Sequence, residues 1–153
     1  MGRRRKVPDM VHEWKRGEYT ISTDRQRLDL DVIHEYLGCS YWATGRSRER
    51  VAESIARSLV FGLYHCDSQV GFARVLTDYV ALAFLADVFV LESHRGKGLG
   101  AWLVEVATSL PELRSVKRWH LGTRDAQGLY RKFGFGEPAP GVYMDRINLK
   151  GDT

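Results

Sequence analysis

No run of apolar residues in this 153-residue chain approaches the length of a membrane span, and no charged-then-apolar leader opens it. A membrane protein is therefore not expected, and a cytoplasmic address is. Cysteine is scarce. Cys39 and Cys66 stand far apart, in a pattern that suits neither a disulfide framework nor a metal knuckle, so two free, buried thiols and no metal are expected. No low-complexity linker or internal repeat occurs. Nor is there a large excess of one charge: the net value is +4, and Met1 to Lys6 supplies most of the asymmetry. Nucleic-acid binding would need a longer basic surface interleaved with aromatics, so nucleic acid is not an expected partner. What is present, 44% hydrophobic and 27% charged residues, is the make-up of a globular domain with a real core. Residues 1–16 read as a basic, solvated tail and 17–153 as one domain.

Taken in order, residues 18–23 read as a first strand, with Tyr19, Ile21 and Thr23 on one face. Leu28 to Leu37 has helical spacing and stops at Gly38. Residues 40–45 form a loop bearing Tyr41 and Trp42. Ser47 caps a second helix with the stripe Val51, Ala52, Ile55, Ala56 and Leu59. Residues 59–66 and 69–77 make a hairpin turned at Asp67-Ser68. Beyond the next strand and helix, residues 116–123 read as a strand, 126–132 as a fourth helix ending at Gly134, and 135–147 as an extended tail.

The centre of the chain is its most informative part. Residues 83–91 are almost continuously apolar and rich in Val and Phe, which suits a strand buried on both faces. Gly96, Gly98 and Gly100 then fall on alternate positions. Leu99, Trp102, Leu103, Val106, Ala107 and Leu110 follow as one apolar helix face, which Pro111 ends. A buried strand, a glycine turn and a helix N-terminus together form a place for an anion, because free N–H groups and the positive end of the helix dipole converge there. Two familiar phosphate loops are excluded. A P-loop needs a hydroxyl after Gly-Lys, and Gly96-Lys97 is followed by Gly98. A dinucleotide fingerprint fits Gly96, Gly98 and Ala101, but the next strand carries no acid and too little chain remains for a second half.

Arg95, Gly98 and Gly100 match the Arg/Gln-x-x-Gly-x-Gly/Ala hallmark of the GNAT N-acetyltransferase superfamily, which the chain resembles. About 30 residues later Leu129-Tyr130-Arg131-Lys132-Phe133-Gly134-Phe135 looks like that family's Leu-Tyr-x-x-x-Gly-Phe. The resemblance implies a mixed α/β fold: a mostly antiparallel twisted sheet with one splayed parallel strand pair, flanked by about four helices, in the order β-α-α-β-β-β-α-β-α-β. It implies acetyl-CoA as cosubstrate. Backbone N–H groups around Arg95, Gly96, Lys97, Gly98, Leu99, Gly100 and Ala101 would hold the pyrophosphate. Val88, Phe89 and Val90 would pair with the pantetheine arm like an extra strand, and Thr123 stands where many members have Asn.

The resemblance casts Tyr130 as the acid for the departing thiolate. A base is harder to place. Asp87 is the one acid inside the apolar strand, and a buried acid needs a reason, either catalysis or pairing with an arginine. The histone-modifying branch has its Glu three residues earlier, where this chain has Phe84. His120 and Glu92 rank behind Asp87. Tyr41, Trp42 and Tyr79 are expected to shape the acceptor site. No Cys or Ser sits in a nucleophile motif with a His, so direct transfer to a primary amine, on a small molecule, is the expected reaction. Transfer to a protein N-terminus or lysine, or a non-catalytic acyl-CoA-binding module, are the alternatives, and a homodimer stays open.

Overall fold

The computed structural model describes residues 10–148, so the expected role of the basic stretch Met1 to Lys6 lies outside the described residues. Six strands form one sheet in sequential order: β1 (Glu13–Arg16), β2 (Tyr19–Ser22), β3 (Leu59–His65), β4 (Ser68–Thr77), β5 (Leu82–Val90) and β6 (Arg118–His120). All neighbours pair antiparallel except β5 and β6, which run parallel. Among the described residues four α-helices complete it: α1 (Leu30–Gly38), α2 (Arg48–Ala56), α3 (Leu99–Thr108) and α4 (Gln127–Arg131). The expected mixed α/β sheet with one parallel pair and four helices is observed. Among the described residues no helix is long and apolar enough to cross a membrane.

Local chemistry sets the helix ends. The Asp29 carboxylate accepts from the N–H groups of Asp31 and Val32 to start α1, and the Ser47 hydroxyl accepts from Arg50 to start α2. Two apolar layers then hold the sheet. Leu99, Leu103, Val104 and Ala107 of α3 pack with Phe61, Leu63, Val75 and Leu85 on one face. Ile33, Leu37, Val51 and Ile55 of α1 and α2 pack with Val60, Phe72 and Phe89 on the other. Each of these side chains other than Ala107 contributes about 1.5–3 kcal/mol by leaving water.

Several expectations need correction. Residues 13–16 are not tail but strand β1, joined to β2 across Gly17, whose φ of +59° suits a tight hairpin. A single apolar residue, Trp14, among charged neighbours hid the strand; it pairs with Ile21 and leans on Phe61. At the other end residues 135–148 contain no strand, so the expected final β element is absent among the described residues. The organising strand is not buried on both faces throughout, since Leu82 and Phe84 are exposed. The thiols are free but exposed: Cys39 ends α1, and Cys66 lies in the β3–β4 turn.

Two irregularities open the sheet. The β5–β6 pairing lasts only three positions, Leu82↔Arg118, Ala83↔Trp119 and Phe84↔His120. Beyond Phe84 that edge of β5 has no neighbouring strand among the described residues. On its other edge the register with β4 shifts between Phe72 and Arg74, and Asp87 takes φ +52° at that bulge. Asp tolerates this left-handed conformation better than most side chains. Bulges re-aim side chains beside functional sites, and this one turns Asp87 into a cluster of arginines.

Candidate active site

Where β5 and β6 part, a cleft of about 590 Å³ runs from the start of α3 to α4. Its floor is Val88, Phe89 and Val90 at the end of β5. One end is formed by His94, Arg95, Gly96, Gly98, Leu99 and Gly100, and the far wall by Asp125, Ala126, Leu129 and Tyr130. Tyr36, Cys39, Ser40, Tyr41 and Trp42 close it from the side of α1.

The glycine turn owes its shape to backbone conformation. Gly96 and Gly98 have φ of +78° and +76°, which a side chain would strain. A Cβ added at Gly98 would meet no protein atom, so the space in front of the loop is open. No side chain caps α3, and no acid lies in its first turn. The N-terminal amides therefore face the cleft with the positive end of the helix dipole. Arg95 adds charge at the rim but is itself tied down: Nε donates to the Val90 carbonyl and Nη2 to the Tyr36 hydroxyl.

Tyr130 is half-buried on the opposite wall, its ring edge-on to Phe135 at 5.9 Å. Burial, and secondarily Tyr41, raises its pKa above the ordinary phenol value. Tyr41 bridges the walls. Its hydroxyl accepts from the Arg124 amide at 3.0 Å, and the Arg124 guanidinium lies 3.9 Å from its ring centroid. The loop after α1 thus reaches across to the segment that precedes α4.

Lys97, Ala101, Thr123 and Tyr79, though expected in the site, lie elsewhere. Lys97 turns from the cleft, with Nζ 3.3 Å from the Tyr19 hydroxyl. Ala101 sits further along α3, outside the lining. Thr123 uses its hydroxyl to accept from the Ala126 amide, fixing the start of α4. Tyr79 packs against the α3-side core near His12 and Glu112, because the β4–β5 turn is at the opposite end of β5 from Val90.

Asp87 does not line the cleft either. Its side chain is 3% exposed and accepts from Arg74 Nε, Arg46 Nη1 and Trp42 Nε1, the last two at 3.0 and 2.9 Å. Burial pushes the carboxyl upward, but the hydrogen bonds and charges of Arg74, Arg46 and Trp42 outweigh that and hold it below the usual range. A carboxylate so committed is a weak proton acceptor. Its contacts tie the Trp42 loop to the β5 bulge.

Tyr36 and His94 are among the cleft residues that the sequence did not assign to the site. Tyr36 stacks on Phe89 at 4.0 Å, and its place three residues after buried Ile33 on α1 was the available signal. His94, whose Nδ1 is 2.8 Å from the Tyr19 hydroxyl, gave none.

Comparison with known proteins agrees with this geometry. The profile of the acetyltransferase (GNAT) domain matches residues 56–137. A candidate acetyltransferase of Gibberella zeae is 31% identical over 78% of this chain and 79% of its own length. A crystal structure of a candidate GNAT acetyltransferase from Xanthomonas campestris superposes with a TM-score of 0.81, at 38% identity, covering 94% of this chain and 96% of that one. A candidate acetyltransferase from Clostridium acetobutylicum, solved with acetyl-CoA, shares the fold at 11% identity, with a TM-score of 0.62, over 89% of this chain and 96% of its own. With its glycine turn, its parted strands and more than half its length matched, the chain belongs to the GNAT acetyltransferase family.

Proposed function

We propose that the protein transfers an acetyl group from acetyl-CoA directly to a primary amine of a small molecule. The observation that carries this is the free edge of β5 beyond Phe84, running between an uncapped helix N-terminus and Tyr130. An extended amide-bearing arm can pair with that edge through Val88, Phe89 and Val90, as an added strand does. Its phosphates would lie on the amides of Gly96 to Gly100, each charge gaining about 0.3–2 kcal/mol according to burial. Tyr130 is the proton donor to the thiolate that leaves. A phenol of pKa about 10 against a thiol of about 8.5 stays protonated near neutral pH, and burial here reinforces that.

Holding amine and thioester together supplies much of the remaining rate. The Tyr41–Arg124 bridge narrows the cleft between its walls, which favours a small acceptor over a folded protein surface. Asp87 is assigned a positioning role, holding Trp42 and Arg46 at the cleft side. The test is a screen of amino acids, polyamines and arylalkylamines that follows free CoA and the acetylated product. Release of CoA stoichiometric with acetyl-amine supports the reading. Binding of acetyl-CoA without turnover of any amine would favour a sensing module instead.

A further inference from the structure

Five histidines occur in the chain, and four have a ring nitrogen engaged: His12 with Glu112, His34 with the Arg46 carbonyl, His65 with Glu18 and His94 with Tyr19. His120 differs. Neither of its ring nitrogens meets a hydrogen-bond partner among the described residues, although the residue is half-buried. Its ring nitrogens still touch solvent, so the imidazole is available to water or a ligand.

Its place in the sheet gives this meaning. Phe84↔His120 is the last pair before β5 and β6 separate, so the imidazole stands at the fork of the two strands, four positions along β5 from Val88, where the cleft lining starts. Register puts it on the sheet face shared with Phe84, Leu76 and Arg74. Phe84 and its cross-strand partner Leu76 are exposed there, leaving bare apolar surface beside the ring. Tyr143 forms the other border, edge-on to His120 at 4.8 Å, with its hydroxyl bonded by Arg118. Among the described residues the ionisable groups placed about this face include Tyr143, Arg118, Arg74 and Asp87, and Asp87 is already bound by Arg74 and Arg46. Asp87 lies three positions after Phe84, and its partner Trp42 lines the cleft.

We propose that His120 takes the proton from the acceptor amine, and that the acceptor reaches the thioester across Phe84, between His120 and Trp42. This rests on the acetyl-CoA reading above. The acceptor arrives as an ammonium and gives one proton to the imidazole. The freed amine attacks the thioester carbonyl; the N–C bond forms, the C–S bond breaks, and the thiolate takes the Tyr130 proton. A second nitrogen proton restores the Tyr130 hydroxyl, and His120 releases its proton to solvent. Ammonium and acetyl-CoA thus become acetyl-amide, CoA and one proton.

The experiment compares wild type, His120→Gln and His120→Ala with the amine probes of the screen, alongside calorimetry with acetyl-CoA. Expected are unchanged acetyl-CoA affinity, a fall in kcat of about 10²–10⁴-fold, loss of the acidic limb of the rate profile, and partial recovery of His120→Ala by added imidazole. His120→Gln turning over within threefold of wild type, with binding intact, would overturn the role of His120 alone. A loss of rate that imidazole does not restore, with the acidic limb retained, would reduce His120 to packing. Failure of wild type to bind acetyl-CoA would overturn the underlying reading, and His120 with it.

Discussion

Tyr130→Phe is expected to turn over about 10²–10⁴-fold more slowly than wild type while binding acetyl-CoA nearly as well. The substitution keeps the ring, and with it the edge-on contact to Phe135, and removes only the hydroxyl. Packing therefore predicts almost no effect, whereas a donor needed only as the C–S bond breaks predicts a loss confined to kcat. Wild-type turnover should also fall at alkaline pH as the phenol ionises. Burial and Tyr41 raise that pKa, so the limb lies above the ordinary value of 10. The limb should vanish in the Phe variant. Turnover within threefold of wild type would remove Tyr130 from the chemistry and leave water or the substrate ammonium as the acid.

Asp87→Asn should be felt in stability. The carboxylate is the shared counter-charge of Arg74 and Arg46, and Arg74 is itself only 12% exposed. Removing one member of a buried ion pair costs about 3–5 kcal/mol, because the other is left uncompensated. Arg46 is a quarter exposed and can turn toward water, so the lower end applies. For a chain of this size about 3 kcal/mol lowers Tm by about 6–12 °C. Turnover per folded molecule should stay within tenfold of wild type. An unchanged Tm with a fall in kcat beyond 10²-fold would restore Asp87 as a base.

The same cluster predicts a pH dependence. The folded pKa of Asp87 lies below its unfolded value of 3.8, so its contribution is complete above that value. It drains away as pH falls from there through the folded pKa. Acid unfolding of wild type should accordingly lie below pH 4 in the part due to Asp87, and Asp87→Asn should lack that component.

Much of the architecture could be read from residue patterns. Strong periodicity marked α3, and Asp29 and Ser47 supply side-chain caps for α1 and α2. Glycines on alternate positions marked the turn, because two of them need positive φ. Four things were hidden for physical reasons. Strand β1 half-buries one residue, Trp14, and so carries no alternation strong enough to see. The fate of Asp87 depends on Arg46 and Arg74, 41 and 13 residues away in the chain, which only the fold brings together. Tyr79 resembled Tyr41 and Trp42 as an exposed aromatic, but which end of β5 it occupies decides its role, and composition is silent on that. The free state of His120 is likewise a property of its neighbours, not of its strand.

Calorimetric titration of acetyl-CoA into wild type and Gly98→Glu tests the central claim most directly. The added carboxylate would sit in front of the α3 amides, in the space now open, and strain a residue at φ +76°. Binding of one acetyl-CoA per wild-type chain, largely lost in Gly98→Glu with circular dichroism unchanged, is the predicted result. Equal affinity in the two proteins would contradict it.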